Sequence, residues 1–153
     1  KLSGYAAILC ELYHITKDDV LVIASNSGRN AYPVELAQCA KEKGARVIAI
    51  TSIKHSSATT SRAKSGKKLM DIADIVIDNC GELGDACLAV EGCNVAMMPT
   101  SSIANTFIVQ AISVLTAQYI AEKGGTPPVF VSLNGLAKQN INDDLYQKYT
   151  RLY

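Results

Sequence analysis

Two clusters of small hydroxyl side chains stand where apolar runs stop. The run beginning VLVIA at Val20 gives way to Ser25-Asn26-Ser27-Gly28, and RVIAI, starting at Arg46, gives way to Thr51-Ser52. Small side chains let backbone N–H groups approach a ligand closely, Gly28 permits a tight turn, and hydroxyls add short donors. A helix follows the first cluster, so the positive end of its dipole adds to the site, and the combination suits a phosphate. Taken alone, SNSG reads equally well as a plain turn. The second hydroxyl cluster, at the same kind of strand end, favours the phosphate site. Neither GxGxxG, for a dinucleotide, nor GxxxxGK[ST], for a nucleoside triphosphate, occurs.

Groups able to move a proton lie nearby in sequence. His55 follows the second hydroxyl cluster by three residues, whereas His14 ends a helical pattern before a polar turn and reads as a surface residue. Glu82, Asp85 and Glu91 fall in a stretch without periodicity that could fold over the strand ends; each is a weak candidate base. The segment SRAKSGKK, 61–68, carries four cations and no acid. Such a run is usually a solvated helix face, but Arg62 is a weak candidate for reaching a ligand phosphate or carboxylate. Cys10, Cys39, Cys80, Cys87 and Cys93 form no CxxC pair and no zinc spacing with histidine. No metal or cofactor is expected, and free cysteines imply a reduced, cytoplasmic setting.

These residues need a scaffold, and the hydrophobic pattern supplies one. An amphipathic helix is predicted over 2–14, a buried strand over 20–25, a helix over 33–43 stopped by Gly44, and a second strand over 46–52. A Ser/Thr-rich loop follows, then a helix over 62–72 and a third strand over 74–79. Residues 80–99 are irregular, 100–125 form a long apolar helix, 127–135 a fourth short strand and 142–152 a terminal helix. Continuous apolar strands alternating with helices describe an α/β, three-layer α-β-α domain around a mainly parallel sheet. The 153 residues suit a single domain.

Charge narrows the partners. Fifteen Lys and Arg stand against fourteen Asp and Glu, for a net charge of +1, so no global field draws the chain to nucleic acid or to an acidic membrane. No uninterrupted run of about 18 apolar residues marks a membrane span. The chain opens at Lys1 without Met, inside a helical pattern, and a preceding segment is expected.

VLVIASNSGRN, then a helix, then VIAITS, resembles the SIS (sugar isomerase) domain, whose strand-to-helix loop carries Ser-x-Ser-Gly on the phosphate of a sugar phosphate. The ordered set SNSGRNAYPVELA, VIAITSIKHS, SRAKSGKKL, ADIVIDN and PPVFVS is similar to a largely uncharacterised bacterial group of SIS-domain phosphosugar-binding proteins. The resemblance implies a flavodoxin-like strand order. It also implies phosphosugar contacts from Ser25, Asn26, Ser27 and Gly28, from Asn30 where many SIS isomerases have Thr, and from Thr51 and Ser52. SIS domains commonly pair, which implies a homo-oligomer, a dimer in the first instance. The family's opening strand, with its Gly-Thr-Gly or Gly-x-Ser turn, has no counterpart before Val20, so the domain reads as lacking its first strands and exposing an apolar sheet edge. No catalytic glutamate aligns. Three readings follow: a sugar-phosphate isomerase or related enzyme, a non-catalytic sugar-phosphate sensor, and an assembly domain without ligand.

Overall fold

The computed structural model describes residues 3–135 and 140–150. Two compact units divide the chain, Lys1–Ile108 and Val109–Tyr153. In the first lie α1 (Tyr5–Leu12), β1 (Val20–Ala24), α2 (Ala31–Glu42), β2 (Arg46–Thr51), α3 (Ile53–Ser57), β3 (Ile75–Asp78), β4 (Ala86–Leu88) and β5 (Met97–Pro99). A single 3-10 turn, Leu69–Asp71, precedes β3. Helix α4 (Thr100–Glu122) begins in the first unit and continues into the second, which also holds α5 (Asp143–Tyr149).

Strands β1, β2 and β3 form a parallel sheet in that order, with β2 central. This is an α/β fold of the kind the apolar runs predict. Ala31, Val34, Ala37 and Ala40 recur every three residues and give α2 a narrow buried face. That face packs with Cys10 of α1 against Ile23, Val47 and Ala49 of the sheet, and Leu69 of the 3-10 turn completes the cluster. Helix α2 stops where Gly44 turns left-handed, at φ +83°. The N–H of Gly44 then donates to Lys41 O and that of Ala45 to Ala40 O, the paired bonds of a Schellman stop. Asp74 pins the next crossover: its carboxylate accepts from Val47 N (2.8 Å) and from Lys41 Nζ (2.5 Å). On the opposite face Val20, Val22 and Ile75 are 57%, 41% and 50% exposed, and β1 is an edge strand.

Four expectations need correction. Residues 62–72 are bends and the 3-10 turn rather than a helix, because the chain there bonds sideways: Arg62 N donates to Arg29 O and Leu69 N to Gly28 O. The irregular stretch 80–99 contains the antiparallel pair β4–β5. Residues 127–135 are not a strand; they find no ladder partner, and Pro127 and Pro128 have no N–H to offer one. Helix α4 is, by length and composition, able to cross a membrane, since its Ser, Thr and Gln residues interrupt the apolar run without lowering its average enough to fail that test. A core helix passes the same test. Leu2 of the expected first helix, and 151–152 of the expected last one, lie outside the described residues.

Candidate functional site

The carboxyl ends of all three parallel strands meet at one edge, and backbone bonds stitch them together. Ser25 N donates to Ile50 O (2.9 Å), Ser52 N to Asn26 O (3.0 Å) and Asn79 N to Thr51 O (3.0 Å). The register that pairs Thr51 with Asp78 sets Asn79 beside Ser52.

The SNSG loop closes on itself through Gly28 N to Ser25 O, 3.0 Å. Gly28 is left-handed, at φ +57°, and buried; a Cβ there would stand 3.2 Å from Leu69 Cβ and 3.4 Å from Thr51 Oγ1. The hydroxyls of Thr51 and Ser52 are fully buried and build the frame. Thr51 Oγ1 donates to Asn26 O (2.9 Å); Ser52 Oγ donates to Gly81 O (2.6 Å) and accepts from His55 N (3.1 Å), capping α3. Ser25 and Ser27 differ. Both are half-buried, and among the described residues neither hydroxyl has a partner.

The N-terminus of α2 is open as well. Its N-cap, Asn30, makes no capping bond; its Oδ1 instead accepts from Arg62 Nη1, 3.3 Å away. Pro33 in the first turn has no N–H to satisfy. Unpaired first-turn N–H groups, two unpartnered hydroxyls and a guanidinium thus lie around one loop, an arrangement suited to a small oxyanion. Lys68, counted among the solvated cations, turns back and donates to Ser56 O (2.6 Å) and Thr59 O (3.3 Å) at the end of α3.

Sequence reasoning named Asn26 but missed the two amides that join it to the other loops, Asn79 and Asn105. Asn79, 7% exposed, donates from Nδ2 to Asn26 Oδ1 (2.9 Å) and to Asn105 Oδ1 on α4 (2.7 Å), while its Oδ1 accepts from Gly81 N (2.9 Å). Asn26 Nδ2 in turn lies 3.5 Å from His55 Nδ1. The available signal was the third strand end: Asn79 follows β3 as Ser25 follows β1.

The three candidate acids are placed differently. Glu82 pairs with Lys54 at 2.5 Å on an exposed surface. Asp85 caps α4, accepting from Ser101 N (2.8 Å), Ser101 Oγ (2.6 Å) and Thr100 Oγ1 (3.0 Å). Partial burial pushes the Asp85 carboxyl up, but those hydrogen bonds and the charge of His55 outweigh it and hold it below the usual aspartate value. Glu91 lies in the exposed 89–96 loop between β4 and β5, with no partner among the described residues. The structure therefore brings His55, Asn30 and Arg62 to the SNSG loop, and leaves Glu91 outside any bonded network.

A family model described as SIS domain matches residues 1–52, the stretch that contains β1, the SNSG loop, α2 and β2. Over that stretch the chain is similar to SIS domains. Along nearly its whole length the chain is similar to UPF0309 proteins of bacteria. It is 40% identical over 151 residues to one from Halalkalibacterium halodurans, covering 99% of this chain and 62% of the relative. Identity is again 40% with one from Caldanaerobacter subterraneus, over 94% of this chain and 59% of the relative. A third, from Listeria innocua, is 40% identical over 96% of this chain and 60% of the relative. The chain thus spans about three fifths of the length of the curated relatives it matches.

Proposed function

We propose that the chain binds a sugar phosphate at the SNSG loop and, in the intact protein, serves a cytoplasmic sugar-phosphate isomerase or related enzyme. The carrying observation is the contrast between hydroxyls. Thr51 and Ser52 are spent on the frame, while Ser25 and Ser27 stand unpartnered beside the uncapped start of α2. Ser25, Ser27 and the N–H groups around Gly28 would hold the phosphate. Asn30 and Arg62 would close over it, and Asn26 would orient His55. A homodimer is the natural assembly for such a domain.

One observation favours a sensor over an enzyme. Among the described residues Glu82 is paired, Asp85 is committed to α4 and Glu91 stands apart, so none of the three candidate acids is left free at the loop to take a proton from a sugar carbon. In the enzyme reading the imidazole of His55 assists at a sugar oxygen, and the base at carbon comes from outside these three acids.

A thermal-shift panel of sugar phosphates, followed by a turnover assay on each binder, tests the proposal. Ligand at about 100 times its Kd raises stability by about 2.7 kcal/mol. Ser27→Ala removes a charge-assisted hydrogen bond worth about 1.5–3 kcal/mol, so affinity should fall by about one to two orders of magnitude. Binding without turnover selects the sensor. No shift with any sugar phosphate returns SNSG to a plain turn.

A further inference from the structure

The amides around Asn79 form a chain whose polarity is fixed at one end by the backbone. Gly81 N–H can only donate, and it points at an atom of the Asn79 amide 2.9 Å away. That atom must be oxygen, so the Asn79 Nδ2 group faces Asn26 and Asn105, at 2.9 and 2.7 Å. Both of those amides must then turn their oxygens inward. Asn26 consequently presents Nδ2, a donor, to His55 Nδ1 at 3.5 Å. A donor facing Nδ1 requires a lone pair there. The proton of the neutral ring is left on Nε2.

We infer that the Asn105–Asn79–Asn26 relay holds neutral His55 as its Nε2–H tautomer, making Asn79 and Asn105 positioning residues for a hydrogen-bond donor at the strand-end site. The relay joins four elements: α4 through Asn105, the end of β3 through Asn79, the loop after β1 through Asn26, and α3 through His55. The main chain of His55 is independently fixed by its bond to Ser52 Oγ, so the relay has a ring of defined position to act on. A ring held this way offers a ligand an N–H and not a lone pair. It therefore fits an acceptor oxygen, a phosphate oxygen or the carbonyl of an open-chain sugar, and would polarise that oxygen rather than remove a proton from carbon. That the donor meets a ligand rests on the sugar-phosphate reading; the tautomer does not.

The two rest on separable measurements. The chain has only two histidines, so the nitrogen resonances of His55 are assigned by their loss in His55→Gln. In long-range proton–nitrogen correlation spectra of the ligand-free protein, at a pH where the ring is neutral, Nε2 should resonate as protonated and Nδ1 as unprotonated. Asn26→Asp, close to isosteric, sets an acceptor against Nδ1 and should move the proton there. Asn79→Ala should leave a mixture of tautomers; its amide spectrum and Tm show whether the fold survives, and Asn26→Asp decides the matter if it does not. A wild-type ring protonated at Nδ1, or a tautomer unmoved in folded Asn26→Asp, overturns the inference and leaves the sugar-phosphate reading standing. Failure of every sugar phosphate to bind while the tautomer behaves as stated does the reverse.

Discussion

The buried amide of Asn79 does more to define the site than any residue whose type advertises chemistry. Histidine, serine and arginine were legible because their chemistry can be named in isolation. An asparagine at a strand end reads as a turn former until its neighbours are known, and those neighbours are 53 and 26 residues away in the chain. Gly81 shows how tightly the amides are held. A Cβ there would lie 2.9 Å from Asn79 Oδ1, and 3.1 Å from both Asn26 Oδ1 and Thr100 Oγ1. None of these is the far end of a flexible chain, so the network itself must move. Gly81→Ala should cost about 1–3 kcal/mol in urea denaturation, as overpacking does. It should also weaken sugar-phosphate binding although Gly81 itself contributes no side chain to the ligand. Wild-type stability in Gly81→Ala would mean that the loop relaxes freely.

Elements were legible in proportion to how far they stabilise themselves. The strands β1, β2 and β3 and helix α2 declare themselves because apolar runs and the Ala31-Val34-Ala37-Ala40 stripe make one packed layer. The three-residue strands β4 and β5 exist only through each other, too short for any period to show. Helix α4 opens on Thr100, Ser101 and Ser102, residue types that commonly cap a helix from within. The acceptor comes instead from Asp85, fifteen residues upstream of Thr100 and held left-handed at φ +75°. Asparagine tolerates that backbone, so Asp85→Asn isolates the charge. Because the folded carboxyl lies below its unfolded value, its contribution is complete above about pH 5 and is lost as pH falls through the folded value, below about pH 4. The Asn variant should thus be less stable than wild type by about 1 kcal/mol at pH 7, and the two should converge as pH falls through the folded value of Asp85. Parallel stability–pH curves would show that the charge is idle.

Burial is unevenly distributed over the molecule, and this governs where the fold resists opening. Among the described residues every fully buried apolar side chain lies between Ala6 and Leu69. Beyond it, Val95 of the β4–β5 hairpin is 69% exposed, Phe107 of α4 73% and Val129 60%. Exposed apolar side chains mark interaction sites in folded proteins where they gather into a patch. Local opening free energy follows buried contacts, so amide hydrogen exchange should be slowest in β1, β2 and α2, close to the global stability, and far faster along α4. Helix α4 is also where assembly would register. If copies of the chain pair through these side chains, protection of the α4 amides must rise with protein concentration, and that of β2, which reports global unfolding, must rise with it, because association stabilises the folded state alone. Exchange measured over a hundredfold range of concentration, about two decades in the population of any dimer at its weak limit, separates the cases. Concentration-independent protection in α4, together with a monomer in sedimentation, would remove self-pairing as the cover for this surface. A concentration-dependent rise would tie the exposed helix, and the Asn105 that it contributes to the site, to the oligomer.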